Sequence, residues 1–278
     1  MLSYQHGFHA GNFADLHKHS VLVALIEALN RKAKPWSYLE THSGRALYDL
    51  ADDQAQKTGE YRAGIARVWN GAAPAVLKPY LDQVRRVNAG PELSHYPGSP
   101  TIVAGMARAD DRIRLMELHS AEVEVLRQVF RNDERVAVHH RDGYEGVNAL
   151  LPPTPKRGLV LIDPSYEVKT EYAQVVRFLR KAQRRWPNGI FAIWYPLLAA
   201  NRWQTLVQEV AEAGQGALLR SELRVAAEDS GGMYGSGMLV LNPPWQLDRQ
   251  LEAMLPALAQ ALNLDAQAVT LEWLSAPE

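Results

Sequence analysis

Residues 159–166 read Leu159-Val160-Leu161-Ile162-Asp163-Pro164-Ser165-Tyr166: an apolar run stops at an Asp-Pro step, and an aromatic residue follows two positions on. Those residue types at the end of a buried strand suit the activation of an amino group conjugated to a ring. Such a nitrogen is a poor nucleophile, because its lone pair is delocalised. Acceptors set around the NH₂ favour the tetrahedral geometry in which the lone pair points outward. The Asp163 carboxylate and a backbone carbonyl near Pro164 are the candidate acceptors; the proline ring fixes φ and so holds that carbonyl in place. Tyr166 is the candidate stacking surface for an extruded base. The same oxygens stabilise positive charge developing on nitrogen, and alignment of donor and acceptor supplies on the order of 7–11 kcal/mol when ideal. The bland reading of the segment is an Asp-Pro turn with a tyrosine packed on the surface.

Other acidic residues close other apolar runs. Glu117 ends a strand over 112–118, where a carboxylate can chelate both ribose hydroxyls of a nucleotide cofactor; otherwise it caps a helix or pairs with a cation. Asp142-Gly143 follows a strand over 135–139 and can accept from an adenine amine, although Asp-Gly turns are common. Thr41-His42-Ser43-Gly44 closes a strand over 36–41 as a glycine turn, well short of a GxGxxG fingerprint.

The elements that must position these residues alternate. An amphipathic helix is expected over 13–33. Strands follow at 36–41, 112–118, 135–139, 158–162 and 189–195, with helices from about 121, over 171–185 and over 198–212. Late strands are expected at 217–226, 238–242 and 269–274, with a helix over 250–262. This order predicts an α/β fold with a mostly parallel sheet flanked by helices, and ligands in such sheets bind outside the carboxyl ends of the strands. The interval between the first two strands is about twice that of a simple βαβ unit of ~30 residues. Residues 47–96 are therefore read as an inserted helical subdomain, and 1–46 with 97–278 as the main domain.

Composition narrows the classes. The chain has 278 residues, a net charge of −1 and no cysteine, which removes disulfides, thiolate nucleophiles and cysteine metal sites. No stretch approaches the ~20 apolar residues of a membrane helix, and the N-terminus lacks a signal-peptide pattern; a soluble, cytoplasmic, monomeric chain is expected. His6, His9, His17 and His19 show no H-E-x-x-H spacing, so no metal is expected, and Ser99 lies outside any G-x-S-x-G elbow. Basic residues cluster at Lys18, Arg31, Lys32 and Lys34, and again at Arg177, Arg180, Lys181, Arg184 and Arg185. The second group is the candidate phosphate contact, against the alternative of a solvated helix face.

The Asp163–Tyr166 stretch resembles the D/N-P-P-Y/F/W motif of amino-methyltransferases, with Ser165 in place of the second proline. Across essentially its full length the chain resembles the RlmJ-type 23S ribosomal RNA adenine-N6 methyltransferases. The stretches that carry the likeness are Met1-Leu2-Ser3-Tyr4, His9-Ala10-Gly11-Asn12 with Ala14-Asp15, Lys18-His19, Thr41-His42-Ser43-Gly44, Thr58-Gly59-Glu60-Tyr61 and Tyr96-Pro97-Gly98-Ser99-Pro100. Further along they are Glu117-Leu118-His119, residues 159–166, Trp194-Tyr195-Pro196, Gly237-Met238 and Asn242-Pro243-Pro244-Trp245. The resemblance implies a class I S-adenosylmethionine (SAM)-dependent methyltransferase fold with a small helical subdomain inserted after the first strand. It implies SAM contacts from Lys18, His19, His42, Ser99, Glu117, Asp142, Gly143 and Asp163. It also implies Asp163 as acceptor from the target amine, an approach of Tyr4 to the RNA, and action on 23S ribosomal RNA without a metal. The rivals are methylation of DNA adenine or of a protein glutamine amide, an RNA-binding or assembly protein with weakened catalysis, and, more distantly, a metallohydrolase.

Overall fold

The computed structural model describes residues 4–277; Met1-Leu2-Ser3 of the N-terminal stretch quoted above lies outside them. Helix α1 (Phe13–Asn30) begins where the Asn12 side chain accepts from the Asp15 amide at 3.0 Å, satisfying a donor that the first turn leaves unpaired. The expected amphipathic helix is instead buried on almost every side, because it lies against the sheet and three further helices. Strand β1 (Ser37–Glu40) follows, and all of it is buried.

The interval to the next core strand holds β2 (Leu47–Asp49), α2 (Asp53–Thr58), α3 (Glu60–Ala63), α4 (Ile65–Asn70), α5 (Lys78–Arg86) and β3 (His95–Pro97). Strands β2 and β3 pair antiparallel and close the base of this segment. Its Ile65, Val68, Tyr80, Leu81 and Val84 join the same apolar core as the sheet. The chain continues through α6 (Ser99–Met106), β4 (Arg112–Glu117), α7 (Ser120–Val129), β5 (Val136–His140), α8 (Gly143–Leu150) and β6 (Gly158–Ile162). It ends with α9 (Glu171–Arg185), β7 (Ile190–Leu198), α10 (Arg202–Ala213), β8 (Leu218–Arg224), β9 (Met233–Leu241), α11 (Leu247–Ala261) and β10 (Val269–Ser275).

The 8-stranded sheet has the order β10-β8-β9-β7-β6-β1-β4-β5. Strands β5, β4, β1, β6 and β7 run parallel. Strand β9 is antiparallel to both β7 and β8, and β10 is antiparallel to β8. This is the class I methyltransferase architecture: a mostly parallel sheet with a reversed strand between its last parallel members. From β1 the chain moves to β4 and β5 on one side and resumes at β6 and β7 on the other. The order therefore reverses between β1 and β6, which opens a crevice above their carboxyl ends.

Two helices went unread in the sequence. Helices α6 and α8 are short, and α8 carries Gly143 and Gly146, which blur its apolar stripe; its start is marked by Asp142, whose side chain accepts from the Glu145 amide at 2.9 Å. Strand β9 begins at Met233 rather than 238. Gly235 and Gly237 lower strand propensity there, but they make room for neighbours: a Cβ on Gly237 would meet the Tyr195 ring at 2.1 Å.

Gly158, the first residue of β6, illustrates how closely the central strands approach. A Cβ there would lie 1.9 Å from the Ser37 carbonyl oxygen of β1, a backbone atom fixed by the ladder. Gly158→Ala is expected to destabilise the protein by roughly 2–3 kcal/mol or more, read as a lower denaturation midpoint at unchanged m-value. A wild-type midpoint would mean that the two strands are free to separate.

Candidate active site

The carboxyl ends of the parallel strands open into a pocket of about 440 Å³. The end of β1 contributes His42, Ser43 and Gly44; β4 contributes Glu117; the turn after β5 contributes Asp142 and Gly143; the turn after β6 contributes Asp163, Pro164 and Ser165. Helix α1 forms one wall through Asp15, Lys18 and His19, and Tyr4 and Ser99 also line the cavity. Every residue that the resemblance assigns to SAM is thus brought to one place, together with Pro164 and Tyr4.

The strongest polar contact in the pocket is the buried ammonium of Lys18. Its Nζ lies 2.6 Å from Asp163 Oδ2 and 3.1 Å from Asp15 Oδ1. Burial works against the charged form, but Asp163 and then Asp15 outweigh it, and the Lys18 pKa stands above the usual lysine value. Asp15 also accepts from the Gly11 amide and from His6 Nε2, each at 2.9 Å. Its own burial is opposed by His6 and Lys18, and its carboxyl ends well below the usual range. Asp163 Oδ1 accepts no hydrogen bond from the described residues, so one lone-pair face of this carboxylate is left for a ligand.

The other strand ends are equally specific. Glu117 accepts from the Gly44 amide (2.8 Å) and the His119 amide (2.7 Å), which fixes the carboxylate across the mouth of β1 and β4. Burial raises its pKa against those two amides. His42 is pushed down to about 4 by burial, with Asp163 and Asp142 opposing. His19 falls to about 3 by burial and donates or accepts at 2.7 Å with the Tyr96 hydroxyl. Both imidazoles are therefore neutral at physiological pH. Gly143 packs under β1 so tightly that a Cβ would sit 1.9 Å from the Thr41 carbonyl oxygen.

Several predicted residues are placed elsewhere. Tyr166 does not line the pocket: it is 6% exposed, has φ +56°, and donates to the Trp194 carbonyl at 2.8 Å. The left-handed backbone turns its ring back onto Tyr172 and Trp194. Ser165, in the place of the second proline, accepts a long bond from the Glu167 amide and donates one to Glu171, both at 3.5 Å. Arg177, Arg180 and Lys181 stand outside the pocket on the exposed side of α9.

Sequence reasoning missed the apolar wall opposite the acids, made by Trp194, Pro196, Leu198 and Met233. Trp194 is fixed by its Nε1, which donates to Ser236 Oγ at 2.9 Å, and Lys18 Nζ lies 5.8 Å from its ring centre. The signal was the Trp-Tyr-Pro step at the end of a strand. Also missed was Glu40, which accepts from Ser99 Oγ. An acid inside the apolar run of β1 was its sequence signal. Among the described residues, no group of three or more His, Cys, Asp or Glu is arranged to hold a metal, and no helix is long and apolar enough to cross a membrane.

Glu40 gives a pH test. Burial pushes its carboxyl up to about 8, with the Ser99 hydrogen bond opposing. A raised carboxyl pKa stabilises the fold fully below the unfolded value near 4.5 and loses that contribution as pH rises to about 8. Glu40→Gln should therefore be more stable than wild type at pH 8 by on the order of a few kcal/mol, and the difference should shrink toward pH 4.5. Denaturation at several pH values checks this; a pH-independent difference would show a carboxylate that ionises normally.

Comparison with known proteins gives the family. The family model described as ribosomal RNA large subunit methyltransferase D, RlmJ, matches residues 33–275. The chain is 42% identical over 264 residues to ribosomal RNA large subunit methyltransferase J of Escherichia coli K12, covering 94% of each. It is 41% identical over 279 residues to the protein of the same name from Haemophilus influenzae, covering 99% of each. A crystal structure of a Legionella pneumophila protein superposes with a TM-score of 0.88 at 35% identity, covering 97% of this chain and 99% of that one.

Proposed function

The chain belongs to the RlmJ family of ribosomal RNA large subunit methyltransferases, and we propose that the pocket above β1 and β6 is where it transfers a methyl group from SAM to the N6 amine of an adenine in 23S ribosomal RNA. The observation that carries this reading is Asp163: held through Oδ2 by Lys18, it keeps Oδ1 free inside a pocket that also has a clamped glutamate and an aromatic wall.

The residues fit the donor. The pocket volume falls within the roughly 300–1,000 Å³ of small-molecule sites. The hydroxyls of Ser43 and Tyr144, both lining it, are buried without a partner among the described residues. Glu117 is placed for a pair of ribose hydroxyls, and Asp142 for an exocyclic amine. Ser99, His19 and Lys18 lie toward α1, where His42 on β1 completes the ring of contacts. When bound, SAM supplies an electrophilic methyl carbon on a sulfonium, a cation that the excess of carboxylates favours.

Asp163 Oδ1 accepts one N–H of the target amine and turns its lone pair toward the methyl carbon. Lys18 keeps Asp163 fixed while doing so and holds Asp15 beside it. Trp194 and Pro196 offer the flat apolar wall on which the adenine packs, with Tyr4 above it. Tyr166 as the stacking ring requires the turn 163–166 to swing its side chain out from under Trp194, breaking the hydroxyl bond to the Trp194 carbonyl.

Asp163→Ala is expected to lower methyl transfer by about 10²–10³-fold or more while weakening SAM binding modestly, measured with labelled donor on 23S RNA from cells lacking the enzyme. Full transfer in that variant would remove Asp163 from catalysis, and label appearing in DNA or protein rather than RNA would change the substrate. Glu117→Ala should raise the SAM dissociation constant about tenfold or more by calorimetry, in line with a loss of charge-assisted hydrogen bonds worth roughly 1.5–3 kcal/mol. An unchanged constant would place the ribose elsewhere.

A further inference from the structure

The chain has a net charge of −1, yet one group of its exposed cations lies together on a surface that the pocket does not use. Helix α1 runs from the pocket down to Arg31, and residues 31–35 are exposed at the amino ends of the strands. There Arg157 Nη1 donates to the Lys34 carbonyl at 2.8 Å. Arg108 donates to the carbonyls of Lys32 (2.9 Å) and Lys34 (3.0 Å). Beside Arg157, the Lys156 carbonyl accepts from Trp186 Nε1 at 2.8 Å, and Trp186 directly follows Arg184 and Arg185 at the end of α9. These bonds join two basic groups, far apart in sequence, into one rim beneath β1 and β6. From that rim Arg184, Lys181, Arg180 and Arg177 climb one side of α9, at the i, i+3, i+4, i+7 spacing of a single helix face. The same helix reaches the pocket at Glu171 and Gln174, so its 15 residues span about 22 Å between the two faces.

The way these cations are held leaves their charge uncompensated. Arg45, Arg135 and Arg220 are matched to carboxylates, at Glu122, Asp133 and Glu272, whereas Arg67, Arg112 and Arg114 donate, as the rim does, to carbonyls. On the rim Arg31, Arg157, Arg184 and Arg185 donate to neutral oxygens. Lys32, Lys34, Lys156, Arg177, Arg180 and Lys181 have no carboxylate at ion-pair distance among the described residues. Arg108 alone of the group pairs with an acid, the buried Asp111. Burial and the neighbouring Arg108 lower the Arg157 pKa, as expected where like charges crowd. At the margin, Trp245 is 81% exposed, and its carbonyl accepts from Arg31 at 3.1 Å.

We propose that this rim and the basic face of α9 form a phosphate track, a second RNA contact on the side of the sheet opposite the pocket, with Trp245 as a platform for an unpaired base. The proposal rests on the RNA substrate argued above. Cations held by neutral oxygens keep their charge for an external anion, and phosphate contacts of this kind position RNA without reading its sequence. A protein partner fits less well, since protein interface cores are poor in lysine and rich in apolar side chains, whereas Trp245 is the large exposed apolar group here. Because the two faces are a helix length apart, a folded RNA spans them and a minimal fragment carrying the adenine does not.

The test uses the full chain with Lys32→Ala, Lys34→Ala and Lys156→Ala combined, and a charge-preserving arginine triple. Binding of deproteinised 23S RNA is followed against salt. In the alanine triple the log–log slope should fall by about two to three and affinity at low salt by about tenfold or more. KM for RNA should rise in step, with kcat at saturation and SAM binding unchanged; the arginine triple should behave as wild type. A wild-type slope and KM in the alanine triple would overturn the track. So would unchanged RNA parameters with lost binding to protein-containing ribosomal particles, which would assign the surface to a protein. If wild type methylates no RNA at all, it is the functional reading that fails, and the salt slope still reports on the surface.

Discussion

The site depends on one buried ammonium. Lys18 Nζ sits between Asp15 and Asp163 at 3.1 and 2.6 Å, and it joins the second turn of α1 to the turn after β6. Without that cation the Asp15 and Asp163 carboxylates would face each other, and like charges at that range repel. With it, Asp15 is held well below the usual carboxylate range, and each carboxylate has a remaining task. Asp15 gathers the N-terminal segment through Gly11 and His6. Asp163 keeps one oxygen for a ligand. The flanking histidines cannot substitute for the lysine: burial brings His19 to about 3 and His42 to about 4, so neither is a cation at neutral pH.

This arrangement explains why much of the site was legible in the sequence and part of it was not. Acids that end apolar runs are conspicuous, because a strand buried on both faces tolerates charge only where it leaves the sheet. Asp163, Glu117 and Asp142 were visible for that reason, and the structure brings all three to one cavity. The long interval after β1 was visible as a spacing too large for a single crossover. What escaped were features set by contacts between distant segments. Trp194 belongs to an unbroken buried strand, and nothing local says that its ring faces a cavity. Tyr166 follows the Asp-Pro step as an exposed aromatic would, but a left-handed backbone and the Trp194 carbonyl turn it inward. Arg184 and Lys34 lie about 150 residues apart in sequence, and their joining depends on residues 156–157, which bond to Lys34 and to Trp186, two residues beyond Arg184.

The burial of α1 has the same origin. A helix exposed on one side shows a polar stripe along its length, and residues 13–30 do not. Five of their seven polar members, Asp15, His17, Lys18, His19 and Ser20, are crowded into the pocket end, and Glu27 and Asn30 lie at the other. His17 is neutral, its pKa lowered to about 3 by burial, and its two ring nitrogens meet Ser236 at 3.0 Å and Ser221 at 3.1 Å. Ser236 in turn accepts from Trp194. The polar end of α1 thus finds partners in the site on one side and in β8 and β9 on the other, as a core holding many polar groups requires, with Ser20 Oγ alone of those named lacking one among the described residues.

That link gives the reversed strand a functional consequence. Running against its neighbours, β9 starts, rather than ends, at the pocket. Its first residue, Met233, therefore lines the wall beside Trp194, and its Ser236, three residues on, reaches both His17 and the Trp194 indole. The connection between β8 and β9, residues 225–232, therefore lies at the pocket end of the sheet and leads directly into the wall at Met233. The fold thereby separates two kinds of recognition: oxygen acceptors at the ends of β1, β4 and β5, and a flat apolar wall at β7 and β9. Asp163 and Lys18 stand on the seam between them.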